Sequence, residues 1–154
     1  MNFYEEKIKK YIKDNNIKAE HLSFKTSCHS VAEAVRAVDA SVEEVVKNIC
    51  LIDKEENLIV AIVKGEDRAS TSKIGRLLGI ERPRTANPLE ILQKTGFVCG
   101  GVPSFGYSAT FLIDPKVMEK EFVYSGGGSE KSLIKISSQE LHKANRGQII
   151  KIRK

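Results

Sequence analysis

The residues best suited to chemistry in this 154-residue chain lie in two stretches. The first is Val45-Val46-Lys47-Asn48-Ile49-Cys50-Leu51-Ile52, apolar except for Lys47 and Asn48. A run of this kind reads as a strand covered on both faces. The two-residue period puts Lys47 on one face with Val45, Ile49 and Leu51, and Asn48 on the other with Val46, Cys50 and Ile52. An ammonium among apolar neighbours loses hydration. It must find a partner, snorkel to water or titrate at lower pH. Lys47 is therefore a candidate site residue; the alternative is a strand-end lysine reaching solvent. The second stretch is Gly100-Gly101-Val102-Pro103-Ser104-Phe105-Gly106. Its three glycines and one proline make a tight loop with exposed main chain. Such a loop either lets a ligand approach the backbone or simply turns between two strands.

Other chemistries have little support. The three cysteines, Cys28, Cys50 and Cys99, are odd in number, and no two have metal-ligand spacing. His21, His29 and His142 are dispersed, so no zinc site is expected. Cys50 and Cys99 read as small core residues. Cys28 adjoins His29, but neighbours in sequence rarely face each other, which argues against a Cys/His nucleophile. There is no nucleophile-elbow pattern for Ser/His/Asp catalysis. Ser125-Gly126-Gly127-Gly128 resembles a phosphate-cradling loop in composition only. It lacks the lysine and hydroxyl of a P-loop, and a flexible hairpin is the simpler reading.

The elements that must position Lys47 and the glycine loop follow from pattern. A 41% hydrophobic, 29% charged composition suits one globular domain spanning residues 1–154. No apolar run approaches the roughly 20 residues that span a bilayer. Met1 to Lys13 lacks the apolar core of a signal peptide, so a cytoplasmic protein with no membrane partner is expected. The net charge of +5 is compatible with an RNA or phosphate ligand without being diagnostic. Phe3, Ile8, Tyr11 and Ile12 predict an amphipathic helix over about 2–15. Ser30, with Glu33 three residues on, predicts a capped helix carrying Val31, Ala34, Val35 and Val38 on one stripe. Leu58 to Val63 is a second apolar strand and makes a central hairpin with the lysine strand. Ser72 to Leu78 is a short helix closed by Gly79. Asn87-Pro88-Leu89-Glu90 starts another that stops at Gly96. Phe97-Val98-Cys99 reads as a strand entering the glycine loop. Further strands are expected at Ser108 to Ile113, Phe122 to Tyr124, Leu133 to Ile136 and Gln148 to Ile152. Asp114 caps a short helix to about Lys120, and Ser138 caps one carrying Leu141. The fold class is α+β, a single domain whose curved, mixed, mostly antiparallel sheet is surrounded by short helices.

The order of these features resembles the YbaK/prolyl-tRNA-synthetase-associated domain family of aminoacyl-tRNA deacylases. It runs through Thr26-Ser27, the alanine-rich helix, Val46-Lys47-Asn48 and Gly65-Glu66-Asp67-Arg68. It continues with Thr95-Gly96, Gly100-Gly101-Val102-Pro103, Asp114 and Gly126-Gly127-Gly128, and covers about Leu22 to Arg153. The lysine strand together with Thr95-Gly96, Gly100-Gly101 and Phe105-Gly106 is its most specific part. The resemblance implies trans-editing: a free-standing enzyme hydrolysing the ester between a wrong amino acid and the 3′ end of a tRNA. It implies proline tRNA carrying a small residue such as cysteine, alanine, serine or threonine. It also implies metal-free, cofactor-free, substrate-assisted attack by water. In that reading Lys47 holds the 3′ end, and Gly101 or its neighbour Gly100 lies in the loop that positions ester and water. Val102, Pro103, Ser104, Phe105, Gly106 and Gly127 are candidates for the pocket wall. Asn48, Thr26 and His29 are further pocket candidates. Asn48 would otherwise hydrogen-bond across the sheet, and Thr26 and His29 would otherwise belong to the turn before the helix. The family often reads Gly-x-x-x-Pro in this loop. Here the fifth position from Gly100 is Ser104, with Pro103 one earlier, so Ser104 either adds a hydroxyl to the pocket or closes the turn. The partners implied are the aminoacyl-tRNA 3′ end and an aminoacyl-tRNA synthetase, and not DNA. Two rivals stand beside the deacylase: a non-catalytic module binding tRNA or a synthetase, and an esterase for small aminoacyl esters.

Overall fold

The structure, a computed structural model, describes residues 2–154. Its elements are α1 (Phe3–Asp14), β1 (Ala19–Ser23), α2 (Val31–Val38), β2 (Val46–Ile52), β3 (Leu58–Lys64), α3 (Thr71–Leu78) and β4 (Arg84–Thr85). They continue with α4 (Pro88–Thr95), β5 (Thr110–Ile113), β6 (Phe122–Gly126), β7 (Ser132–Ser137), α5 (Ser138–Asn145) and β8 (Gln148–Ile149). Short 3₁₀ turns span Val42–Glu44 and Pro115–Glu119.

The α+β class holds, but the strands form two sheets where the sequence suggested one curved sheet. One is three-stranded, in the order β1-β7-β6, and antiparallel throughout. The other is five-stranded, in the order β4-β2-β3-β5-β8. Its β2–β3 and β2–β4 pairs are antiparallel and its β3–β5 and β5–β8 pairs parallel. An isolated bridge between Val45 and Tyr124 joins the two sheets.

The β2–β3 hairpin is the centre. Every residue of β3 is buried. Val46, Cys50, Ile52, Val60 and Ile62 pack into one core with Phe97, Phe105 and Ile134. Leu51, Ile59, Ala61 and Val63 pack on the opposite face with Ile74, Leu112 and Ile152. This two-sided cover explains the continuous apolar runs.

The helix ends follow their sequence signals. Asn2 accepts from the Tyr4 and Glu5 amides, and Ser30 accepts from that of Glu33. Asn87 and Glu90 form a complete capping box behind Pro88. Gly79 and Gly96 take left-handed conformations at the ends of α3 and α4.

Several local expectations need correction. Phe97-Val98-Cys99 is not a strand; the segment after Gly96 is turn-like, and Phe97 is buried by side-chain packing alone. The cap of α5 is Ser137 rather than Ser138. Phe3 lies outside the core, 71% exposed, while Ile8 is fully buried. The two-residue strand β4 was not foreseen, and β8 ends at Ile149. The final residues are instead fixed by Asp114. Its buried carboxylate accepts from the Ile152 and Arg153 amides and from the Arg153 guanidinium at 2.7 Å.

Candidate functional site

The site forms where β2 runs without a neighbour on one edge. β3 covers the other edge over the whole strand, but β4 reaches only Leu51 and Ile52. The Val45 carbonyl turns toward β3, accepting from the Gly65 amide at 2.6 Å. The Cys50 carbonyl turns the opposite way, accepting from the Ala86 amide at 3.0 Å. Main-chain direction alternates along a strand. The N–H and C=O of Asn48 therefore point outward at the edge that no strand covers.

Against this open edge lies a cavity of about 190 Å³, at the junction of the two sheets. Lys47, Asn48 and their neighbours from Val45 to Cys50 form one wall. Gly100 and Val102 form another, and Ser125 and Gly126 of β6 a third. Cys28, His29 and the start of α2 close the remaining side. The volume is below the ~300 Å³ at which drug-sized pockets begin, so it suits a small group rather than a whole nucleotide.

Lys47 is half-buried, and among the described residues its ammonium makes no hydrogen bond or ion pair. Burial pulls its pKa below the ordinary lysine value, and the Arg68 charge adds to this while Asp67 opposes it. Asp67 Oδ2 is itself a buried oxygen without a partner among the described residues.

Asn48 is held by a closed set of hydrogen bonds. Its amide nitrogen donates to the Val102 carbonyl at 2.9 Å and to Ser125 Oγ at 3.2 Å. Its oxygen accepts from Ser104 Oγ at 2.7 Å, and the two serine oxygens lie 2.7 Å apart. Ser104 is fully buried and does not reach the cavity. Its hydroxyl holds Asn48 instead.

The two glycine loops interlock. The Gly128 amide donates to the Gly101 carbonyl at 2.7 Å, and the Gly101 amide donates to the Val98 carbonyl at 3.0 Å. Both main-chain groups of Gly101 are therefore used inside the fold. A Cβ on Gly101 would meet Gly128 and Ser129 backbone at 2.7 Å. It is Gly100, at φ +89°, that faces the cavity, with the His29 ring closed over its Cα. The His29 Nδ1 also lies 3.5 Å from Glu130 Oε1.

The structure thus gathers Lys47, Asn48, His29, Gly100 and Val102 around one hollow. The other candidates sit elsewhere. Thr26 lines a separate hollow with Glu33 and Arg36. Pro103 is buried, its carbonyl accepting from the Tyr107 hydroxyl at 2.7 Å. Phe105 is a fully buried core side chain, and Gly106 packs under Ile8. Gly127 is buried with its carbonyl on His21 Nε2 at 2.8 Å. Sequence reasoning missed Ser125 as a wall residue; the polar residue heading a glycine run was its only signal.

Cys28 and Cys50 also line the cavity but are not poised as nucleophiles. Burial, then Glu33, raises the Cys28 pKa. Burial, then Cys99, pushes Cys50 up to about 12. Among the described residues no cluster of His, Cys, Asp or Glu is arranged to hold a metal ion. No helix among them is long and apolar enough to cross a membrane.

Comparison with known proteins gives this geometry a family. A profile of the aminoacyl-tRNA editing domain matches residues 25–144. The uncharacterized protein YwhH of Bacillus subtilis (strain 168) is 25% identical over 120 residues, covering 77% of this chain and 76% of its own. The hypothetical protein APE2540 superposes with a TM-score of 0.88 at 25% identity, over 96% of this chain and 99% of its own. A candidate trans-editing enzyme for prolyl-tRNA synthetase superposes with a TM-score of 0.92 at 23% identity, over 100% of this chain and 99% of its own. The chain belongs to the aminoacyl-tRNA editing domain family.

Proposed function

We propose that this member of the editing-domain family is a free-standing aminoacyl-tRNA deacylase. Its substrate is a mischarged tRNA carrying a small amino acid such as alanine, cysteine, serine or threonine. The aminoacyl group enters the cavity while the 3′-terminal adenosine stays at its mouth. Water attacks the ester carbonyl, and the bond to the ribose oxygen of the adenosine breaks. Negative charge develops on the carbonyl oxygen as this happens. Lys47 anchors the 3′ end as a point charge on phosphate and ribose oxygens. The outward Asn48 N–H and the main chain at Gly100 hold the ester without a Cβ in the way. Gly101 acts at one remove, keeping Gly100 and Val102 in place against the second glycine loop.

The observation that carries the reading is the hollow itself. A half-buried, unpaired lysine, an uncovered strand edge and a glycine main chain border one cavity of about 190 Å³. A hollow of that size accepts small side chains and rejects larger ones by exclusion. Proline tRNA is the proposed carrier, supported by the likeness to the candidate trans-editing enzyme. Association with the synthetase that charges that tRNA belongs to the same proposal.

The test is amino acid release from a panel of tRNAs, each charged with a different small residue. A deacylase releases at least one of them with turnover. A non-catalytic module binds the panel and hydrolyses none. An esterase for small aminoacyl esters is indifferent to uncharged tRNA as competitor and shows no steep salt dependence.

A further inference from the structure

The hydrogen bonds around Asn48 fix more than its position. Its amide nitrogen has two hydrogens, and both are used, on the Val102 carbonyl and on Ser125 Oγ. The Val102 carbonyl also fixes which end of the amide is nitrogen, because an oxygen there would face another oxygen. Asn48 Oδ1, 2.7 Å from Ser104 Oγ, then requires the Ser104 hydrogen. The remaining 2.7 Å contact between the serines requires that Ser125 donate to Ser104. The donors run in one direction around a closed ring: Asn48 to Ser125, Ser125 to Ser104, Ser104 back to Asn48. Every hydrogen in the ring is committed, and what remains is lone pairs only.

Asn48 and Ser125 line the cavity, whereas Ser104 is sealed behind them. The ring therefore offers the cavity acceptors and no donor. The deeper surroundings are apolar, with Val45, Val46, Cys50 and Leu133 among them. Of the other polar groups in the lining, Lys47 is a donor, Ser30 Oγ is engaged with Glu33, and His29 and Gly100 belong to other walls than the ring. A ligand group carrying hydrogens thus finds its acceptors at the ring and at the adjoining Asn48 carbonyl.

We infer that the Asn48–Ser125–Ser104 ring is the subsite for the α-amino group of the aminoacyl ester, and that Ser104 is its positioning residue. The inference rests on the deacylase reading and deepens it. In an aminoacyl ester the α-amino group is one bond from the carbon bearing the carbonyl. It must enter the cavity with the reacting ester. Buried there without an acceptor it would carry a desolvation cost. Lys47 repels it, and the acceptor ring attracts it. The two together orient the ester, with its amino group toward Asn48 and its ribose oxygens toward Lys47. The site thereby distinguishes an aminoacyl ester from a simple acyl ester of the same shape.

The experiment uses the full chain and three tRNA esters built on the best substrate of the panel. One carries the α-amino group, one an α-hydroxyl, and one an α-methyl group of the same heavy-atom count. Each enzymatic kcat/KM is divided by the rate of spontaneous hydrolysis of that ester, because the amino group itself activates the carbonyl. The amino ester is preferred over the methyl ester by about tenfold or more, the size of one charge-assisted hydrogen bond, with the hydroxyl ester between. In Ser104→Ala the Ser125 hydrogen is released toward the cavity, and the amino-to-methyl preference falls several-fold. A loosened fold would slow all three esters alike and leave the ratio intact. Wild-type enzyme that hydrolyses amino and methyl esters within twofold of each other overturns the subsite and leaves the deacylase standing. An unchanged ratio in a folded Ser104→Ala overturns the role of Ser104. Failure to hydrolyse any member of the panel removes both the reading and the subsite.

Discussion

Gly101→Ala probes how the two glycine loops shape the site. A Cβ at this position would lie 2.7 Å from the Gly128 carbonyl carbon, 2.7 Å from the Ser129 nitrogen and 2.8 Å from the Gly128 oxygen. All three are main-chain atoms, so no side chain can rotate away. Gly101 does not have a positive φ, so the cost comes from contact and not from backbone strain. Overpacking of this kind costs about 1–3 kcal/mol. Stretching the Gly128 to Gly101 hydrogen bond removes about 1 kcal/mol more. Alanine returns about 0.4–1 kcal/mol by restricting the unfolded chain. The net loss is about 1–3.5 kcal/mol, which lowers Tm by roughly 2–4 °C per kcal/mol in a chain of this length. Gly79→Ala is the control. It has a left-handed φ of +67° with nothing within 4 Å of the new methyl, so it pays only backbone strain. Scanning calorimetry and amino acid release on both variants make the comparison. Gly101→Ala should lose turnover beyond its loss of stability, since Gly100 and Val102 on either side of it both line the cavity. A Gly101→Ala protein with wild-type Tm and wild-type turnover would refute the interlocked-loop argument.

The pH profile should show an alkaline limb where Lys47 deprotonates, at lower pH than an ordinary lysine because burial and Arg68 disfavour its charge. Asp67→Asn removes the opposing anion and should move that limb further down, and Arg68→Gln should move it up; kcat/KM against pH reads both signs. Asp114→Asn should cost about 3 kcal/mol in chemical denaturation, since it leaves the Arg153 guanidinium without its carboxylate. Burial opposes ionisation of Asp114, but the Lys116, Ile152 and Arg153 amides and the guanidinium overcome it and lower its pKa. Its stabilising effect is therefore present at neutral pH and lost as pH falls below about 4, and wild type and Asp114→Asn should converge there in acid unfolding. Cys28→Ser should retain turnover, because a thiol whose pKa is raised by burial and Glu33 is not the attacking group; abolished release in a folded Cys28→Ser would contradict this.

Much of the frame is visible in local sequence, because its signals are local. The Asn87-Pro88-Leu89-Glu90 cap, the terminal glycines Gly79 and Gly96, and the hairpin of two apolar runs each depend on neighbours a few residues apart. The division into two sheets was not visible, because it depends on pairings such as β1 with β7, far apart in the chain. Phe97-Val98-Cys99 misled for a related reason: an apolar triplet before a glycine loop looks alike whether it pairs or only packs. At the site, Lys47 and Asn48 stood out as polar residues in an apolar strand. Whether Ser104 entered the pocket could not be read, because its partners Asn48 and Ser125 are 56 and 21 residues away. Phe105 and Gly106 looked like pocket residues because they belong to the loop, yet the chain has already turned back into the core there.

The most direct measurement is single-turnover release of amino acid from mischarged tRNA by Lys47→Ala, alongside wild type and with its fold verified by calorimetry. With the ammonium gone from the open edge of β2, release at subsaturating enzyme should fall about tenfold or more, the size of one charge-assisted contact to the 3′ end. A folded Lys47→Ala enzyme that releases the amino acid at the wild-type rate would contradict the assignment of Lys47 to this site.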